Sequence, residues 1–475
     1  MNLGALTGGA GGAADGAVVT GFAIDHRKVA PGNIFGAFQG ARVNGEDFIP
    51  AAVAAGAIAV VARPEAAVEG ALHIADDNPR ERFARLAARF FAPFPPVTVA
   101  VTGTNGKTST VEMTRQLWRM AGHHAASIGT LGVTTSDESV STGLTTPDIV
   151  TFLSNVAGLA REGVTHLAFE ASSHGLSQYR TEGLPVRAAA FTNLSRDHLD
   201  YHGDMAAYFH AKLRLFADVL DPDGVAVVWV DDPNSERVID LARARGNRLI
   251  TVGEHGDTLR IVSRDPTLLG QGLVIAADGR EHKVNLPLIG GYQAANALVA
   301  AGLVVATGGD PAQTIANLAR LQPVRGRLER AAIKANGAPL YVDYAHTPDA
   351  LEAAIAALRP HTQGRLILVF GAGGERDHGK RELMGQEAAA GADVAIVTDD
   401  NPRGEDPAAI RAEILKGVPQ GIETGDRRAA IAAAVEMAQA EDIVLIAGKG
   451  HEQGQIVGDM VLPFDDVAVA RECAA

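Results

Sequence analysis

Short apolar runs punctuate the chain, and each delivers it into a polar or glycine-rich stretch before a longer helix-like pattern begins. "VTVAVT" from Val97 runs into "GTNGKTST", "THLAFE" into "ASSHGL", and "AAAFTNL" into "SRDHLDYHG". Apolar runs without polar alternation mark strands buried on both faces, and strand, loop and helix in that order predict a parallel sheet with crossover helices. The same grammar resumes after "LQPVRGRLE", where "RLILVFG" leads into "AGGERDHGK", "ADVAIVTDD" into "NPRGED", and "EDIVLIAG" into "KGHEQG". Ahead of Val97 the pattern differs. It holds a short strand-like run, "AIAVVA" at 57–62, after an alanine-rich helical segment, and closes in "FFAPFPP", whose prolines cannot continue a helix. The expected architecture is α/β with three domains, 1–96, 97–322 and 323–475, the second built on a parallel-rich sheet and the third Rossmann-like. Ligands in such sheets bind outside the carboxyl ends of the strands, so the polar loops are expected to gather there. From about Leu220 to Pro287 the sequence reads as mixed structure with little chemical signal.

Composition agrees with this division. A chain of 475 residues exceeds one ordinary core, and about 150 residues per domain gives roughly three. Only 5% aromatics beside 53 glycines suits an Ala/Val/Gly-rich α/β protein. The formal charge of -14 argues against nucleic acid as a partner, because phosphate neutralisation needs dense Lys/Arg, and leaves anionic ligands to focused pockets. Cys473 is the one cysteine, which excludes an intramolecular disulfide and a thiolate metal cluster and fits a cytoplasmic location. The longest apolar run, "AAVAAGAIAVVA", falls short of the roughly 20 residues of a membrane span, and the start lacks a signal-peptide pattern. Neither feature is expected.

The stretch "VTVAVTGTNGKTSTVEM" carries the sharpest chemistry. A standard phosphate-binding loop, G-x-x-x-x-G-K-[ST], would place its first glycine at Val101, but the glycine is Gly103. The shortened loop keeps the necessary parts, which predicts a P-loop-type ATPase domain. Gly103 and Gly106 let backbone N–H groups curl around a phosphate, and a helix starting near Lys107 turns its positive end toward it. Lys107 can pair with terminal phosphate charge, and Thr108 can offer its oxygen to magnesium. The plainer alternative is a tight strand-to-helix turn with a solvated lysine. Glu170 directly follows an apolar strand, where a carboxylate can meet a magnesium ion held by the first loop, and His198 could reach a second ion from the adjacent strand. Each alone could be structural, and their joint placement favours the metal. Asp197, Asp200 and His202 are weaker candidates that include loop caps. Lys212, in "YFHAKLRLF", reads from its residues as a solvated helix lysine. Asp343, ending "LYVD", could hold a ribose or base, or cap the helix that follows.

Together, "TGTNGKTS", "SSHGL", "TNLSRDHLDYHG", "RLE" after "LQPVRG", "DYAHTPDAL" and "GKGHE" resemble the Mur ligases, over about Ile24 to Asp466. That family runs the shortened loop. The resemblance implies ATP-driven amide synthesis for peptidoglycan: a γ-carboxylate takes the terminal phosphoryl group of ATP, and an amine displaces phosphate from the acyl phosphate. The pattern is most similar to the subgroup joining meso-2,6-diaminopimelate to UDP-N-acetylmuramoyl-L-alanyl-D-glutamate. It implies that 1–96 binds the UDP end, 97–322 ATP and 323–475 the amino acid, in a monomer. ATP would meet Gly103, Thr104, Asn105, Gly106, Lys107, Thr108, Ser109, Asn296, Arg327 and Asp343. The implied magnesium set is Thr108, Glu170, His198 and Lys212, the last as a carbamate; catalysis falls to Lys107, Glu170, His198 and Lys212. The muramoyl dipeptide would meet Thr145, Thr146, Ser172, Gln178 and Arg180, with the uridine end near Ile24 and His26. For diaminopimelate the implied set is Arg376, Asp400, Asn401, Pro402, Arg403, Gly448 and Glu452. Diaminopimelate carries a second carboxylate that lysine lacks, and the planar fork of Arg403 can grip it with two parallel hydrogen bonds.

Two positions depart from the family pattern: Ile24-Asp25-His26-Arg27, where serine often follows the aspartate, and Leu144, where relatives can carry asparagine. The register of "QGARVNG" around Arg42 is open. Three alternatives stand beside this reading. A lysine-adding cell-wall ligase shares the chemistry. A folylpolyglutamate-synthetase-like ligase shares the architecture, but the sequence ahead of Val97 is enough for a separate first domain. A nucleotide-gated binding protein would not need Lys107, Glu170, His198 and Lys212 together.

Overall fold

A computed structural model of the chain describes residues 1–9, 13–40, 43–135, 139–140, 143–375 and 377–475. The chain divides into two compact units, one of residues 1–252 and 302–309, the other of 253–301 and 310–475.

The first unit begins with a four-stranded parallel sheet whose strands, Gly21–Ala23, Asn33–Gly36, Ala59–Ala62 and Leu72–Ala75, lie in chain order. Helix Pro79–Phe91 covers it. Proline at its start and the Asn78 side chain capping Glu81 N set its beginning, and Phe83, Leu86 and Ala87 form its buried stripe. A larger sheet follows, in the order Arg248–Gly253, Val225–Trp229, Ala188–Phe191, Val97–Thr102, His166–Glu170 and Ala125–Gly129, all parallel. Antiparallel strands Gly132–Thr134 and Ser139–Val140 complete that edge. Strand Val97–Thr102 therefore lies between His166–Glu170 and Ala188–Phe191. Val101 pairs with Glu170, and Thr102 with Phe191, so three strands end side by side. This is the arrangement the apolar runs predict.

The second unit holds an antiparallel meander, Leu259–Thr267, Gly270–Ala277 and Arg280–Leu286. The Leu220–Pro287 stretch thus contributes these strands, Val225–Trp229, Arg248–Gly253 and helix Ser235–Arg245. A six-stranded sheet follows in the order Glu329–Ile333, Pro339–Asp343, Ile443–Ala447, Leu366–Phe370, Val394–Val397 and Ile422–Glu423, parallel after its first strand. Leu366, Leu368 and Phe370 join the core on one face, Ile367 and Val369 that on the other, which explains the unbroken apolar run. No helix among the described residues is long and apolar enough to cross a membrane.

Candidate functional site

The central strand of the first unit ends at Gly103, with φ of 147°. A Cβ there would overlap the Thr192 hydroxyl and stand 3.1 Å from Asn193 N, so only glycine lets the two loops touch. Hydrogen bonds join those loops: Thr192 Oγ1 donates to Asn105 O (2.6 Å), Asn105 N to Asn193 Oδ1 (2.8 Å) and Thr104 N to Asn193 O (2.9 Å). Gly106, with φ of 86°, caps helix Lys107–Met120. Thr108 and Ser109 lie buried in its first turn, and Lys107 Nζ folds back to donate to Gly103 O (2.9 Å) and Thr104 O (2.8 Å). A glycine-shaped loop opening directly into a helix presents backbone N–H groups to an anion.

Glu170, on the strand beside Val101, is 2% exposed. Its Oε1 accepts from Thr130 N (2.7 Å) and its Oε2 from Thr130 Oγ1 (3.3 Å). Gly129 makes room, since a Cβ there would lie 2.7 Å from Glu170 Cγ. Thr130 Oγ1 is 3.1 Å from Thr145 Oγ1. The Thr146 hydroxyl is 2.9 Å from Glu170 O and 3.0 Å from Ser172 Oγ. Arg180 Nη1 donates to Thr146 O (2.7 Å), its Nε and Nη2 hold Gln178 Oε1 (3.2 and 2.8 Å), and Gln178 Nε2 donates to Tyr201 OH (2.9 Å). Thr145, Thr146, Ser172, Gln178 and Arg180 therefore form one polar network with Glu170.

Lys212, on helix Met205–Arg214, is not a solvated helix lysine. It is 1% exposed, and its Nζ donates to Gly103 O (2.7 Å) and lies 4.3 Å from the Tyr208 ring centroid. Burial, and then the charge of Lys107, holds its pKa well below the usual lysine range, with Asp197 opposing. His198 is exposed, adopts φ of 51° and places Nε2 3.4 Å from Asp197 Oδ2. Its ring meets His174 edge-on at 4.9 Å, and burial first, then His198 and His202, lowers the His174 pKa to about 4. Among the described residues no three His, Cys, Asp or Glu side chains converge into a site that could hold a metal ion. In the first sheet's loops, Ile24 is exposed and His26 stacks on Phe48 at 4.4 Å. Asp25 is engaged by Arg27, whose hydrogen bond lowers its pKa to about 2. Arg42 lies outside the described residues.

The second unit links its three nucleotide candidates. Asn296 Nδ2 reaches Gln293 Oε1 (3.5 Å), Gln293 Nε2 donates to Arg327 O (2.8 Å), and Leu328 N donates to Asp343 Oδ2 (2.7 Å). Asp343 does not cap the following helix. Thr347 does that, while Asp343 Oδ1 accepts from Ala345 N (2.9 Å) and burial raises its pKa against Arg327 and the backbone donors. At the neighbouring strand ends, Lys449 is fully buried, with Nζ 2.8 Å from Asn401 Oδ1, 3.3 Å from Glu452 Oε2 and 3.6 Å from Asp400 Oδ1. Asn401 Nδ2 also donates to Glu452 Oε2 (2.9 Å). Gly448, with φ of 117°, is required because a Cβ would meet Asp400 Oδ2 at 2.7 Å. Arg403, with φ of 52°, follows the buried Asn401 and Pro402; its N donates to Ile456 O (3.0 Å) and its Nη1 to Gly374 O (2.8 Å). Its Nε and Nη2 have no partner among the described residues. Arg376 lies outside those residues.

Three family descriptions match in order along the chain: "Mur ligase family, catalytic domain" over 18–91, "Mur ligase middle domain" over 101–304, and "Mur ligase, glutamate ligase domain" over 326–450. A curated relative from Zymomonas mobilis subsp. mobilis, named UDP-N-acetylmuramoyl-L-alanyl-D-glutamate--2,6-diaminopimelate ligase, is 62% identical over 96% of this chain and 94% of its own. The chain belongs to the Mur ligase family. A solved structure of an enzyme of the same name matches with a TM-score of 0.77 at 34% identity, over 100% of this chain and 98% of that one. A Mycobacterium tuberculosis folylpolyglutamate synthase complexed with ADP matches with a TM-score of 0.64 at 19% identity, over 83% and 93% of the two chains, a likeness of fold alone.

For this Mur ligase, sequence reasoning missed Thr192 and Asn193, which shape the loop, and Lys449, which gathers Asp400, Asn401 and Glu452. Lys449 stood inside "GKGHE", but a lysine between glycines carries no local sign of burial.

Proposed function

We infer that the protein is an ATP-dependent ligase joining meso-2,6-diaminopimelate to UDP-N-acetylmuramoyl-L-alanyl-D-glutamate in peptidoglycan precursor synthesis. Segments 1–96, 97–322 and 323–475 are read as the UDP-substrate, ATP and amino-acid domains. One observation supports the choice of amino acid. The D-N-P-R turn, Asp400 to Arg403, is held against the G-K-G-H-E turn by buried Lys449, and two nitrogens of the Arg403 guanidinium, without a partner among the described residues, suit a carboxylate.

A carboxylate is a poor acyl donor because oxide is a poor leaving group. A γ-carboxylate oxygen of the D-glutamyl residue attacks the terminal phosphorus, ADP departs, and the acyl carbon gains a phosphate leaving group. The diaminopimelate amine then adds to that carbon, phosphate leaves with the bonding pair, and the amine proton is lost as the amide forms. On this reading the Gly103–Ser109 loop cradles the ATP phosphates, with Lys107 offsetting charge on the transferred group. Asn296, Arg327 and Asp343 hold the nucleoside end. Thr145, Thr146, Ser172, Gln178 and Arg180 orient the dipeptide, while Ile24 and His26 meet the uridine end. Magnesium suits the donor chemistry, since the Thr108 hydroxyl and the Glu170 carboxylate are hard oxygen donors, joined by His198 and by Lys212 once carbamylated. Bound there, it supplies further charge neutralisation.

The test is to incubate the protein with ATP, magnesium and the UDP-muramoyl dipeptide, plus either diaminopimelate or lysine, and to weigh the product. A diaminopimelate adduct is expected; a lysine adduct in preference, or ATP turnover without either, overturns the reading. Arg403→Ala is expected to lose about 2 to 5 kcal/mol of diaminopimelate recognition, roughly 30-fold to several thousand-fold in kcat/KM. Lysine should be a poor substrate for the parent, because it leaves Arg403 unpaired. Unchanged diaminopimelate use by the variant would remove Arg403 from the specificity site.

A further inference from the structure

We propose that Arg80 is a second guanidinium for the anionic part of the nucleotide-sugar substrate, acting with Arg180 on one phosphate or carboxylate group. The proposal rests on the ligase reading above. Arg80 stands in the first turn of helix Pro79–Phe91, half-buried. Its Nη2 donates to Gln39 O (2.9 Å), and its guanidinium lies 4.8 Å from the Phe38 ring centroid. Arg180 is also half-buried, and its partners are Gln178 Oε1 and Thr146 O. All of these partners are neutral.

Among the described residues, neither arginine forms an ion pair, whereas its neighbours do: Arg85 joins Glu81 and Glu182, Arg214 joins Glu182 and Asp218, and Arg63 joins Glu46 and Glu65. Asp148 acts on Arg180 electrostatically, but its oxygens cap Val150 N and Thr151 N of helix Ile149–Arg161. The two arginine segments are tied together, since Asn78 Nδ2 donates to Tyr179 OH (2.6 Å), one residue before Arg180. Burial lowers the Arg80 pKa, and the charge of Arg180 lowers it further, against Tyr201. Two like charges drawn partly out of water with only neutral partners are unfavourable until an anion joins them. Guanidinium forks bind carboxylate and phosphate oxygens in pairs, and Arg180 already belongs to the network beside Glu170 where the dipeptide is read to lie.

Arg80→Met keeps the apolar stem over Phe38 and removes the charge. Calorimetric titration with UDP-N-acetylmuramoyl-L-alanyl-D-glutamate is expected to show affinity lower by roughly 10- to 100-fold, the loss of charged hydrogen bonds. KM for that substrate should rise more than kcat falls, with KM for ATP and diaminopimelate unchanged. Without ligand, Tm should stay the same or rise, the opposite of losing a structural contact. Titrations with UDP-N-acetylmuramate and UDP identify the anion: losses for all three assign a phosphate, and a loss confined to the dipeptide-bearing ligand assigns a carboxylate. Should the methionine variant fold poorly, Arg80→Gln carries the same expectations. A folded variant that binds the full substrate as tightly as the parent overturns the proposal. Failure of the parent to ligate would instead overturn the functional reading.

Discussion

Lys107→Ala is expected to lose amide formation and ADP release together, by on the order of 10³-fold or more, while the protein stays folded. The lysine opens its helix and folds over the loop, with Nζ 2.9 Å from Gly103 O and 2.8 Å from Thr104 O. Those carbonyls hold the ammonium against the glycine loop. Alanine keeps the helix start, being the strongest helix former, and leaves the glycine loop in place. A coupled ADP assay beside product mass measures both halves of the reaction, and circular dichroism reports the fold. ADP release near the parent's rate would mean that Lys107 does not stabilise the moving phosphoryl group.

Nearly complete loss of activity is likewise expected for Lys212→Ala, with partial recovery from small added carboxylates such as acetate or formate. A buried ammonium beside Lys107 is unfavourable, and burial already lowers its pKa well below the lysine range. The neutral amine that results is the form able to take up carbon dioxide, and the carbamate so made is an anion suited to a magnesium ion. The sign follows from that shift. As pH rises through the depressed folded-state value the neutral fraction grows, so at a fixed concentration of dissolved carbon dioxide re-carbamylation after acid treatment should return activity faster at higher pH. Mass spectrometry of the native protein should find Lys212 heavier by one carbon dioxide. An active Lys212→Ala enzyme would rule the role out.

Much of the fold was legible because strands buried on both faces must be apolar throughout. "VTVAVT", "THLAFE", "RLILVFG" and "EDIVLIAG" each became a strand for that reason. The first sheet was harder to read, since strands of three and four residues such as Gly21–Ala23 carry too little pattern to separate from turns. The glycine-shaped loop before helix Lys107–Met120 was equally clear, because a glycine at φ of 147° and a helix start are local properties of consecutive residues. The sequence by itself thus determined the α/β architecture, the loop and the strand-end position of Glu170.

Tertiary structure alone decided the state of the charged groups. Lys212 reads as an ordinary amphipathic-helix lysine until the fold brings it to Gly103, 109 positions away in the chain. Asp343 looked equally suited to capping a helix, and the approach of Leu328 N took that role from it. Lys449 is buried among Asp400, Asn401 and Glu452, and Arg80 is left with neutral partners, though neither sequence neighbourhood says so. The physical reason is common to all four. Backbone conformation is set largely by near neighbours, but desolvation and charge pairing depend on atoms that only long-range packing brings within a few ångströms.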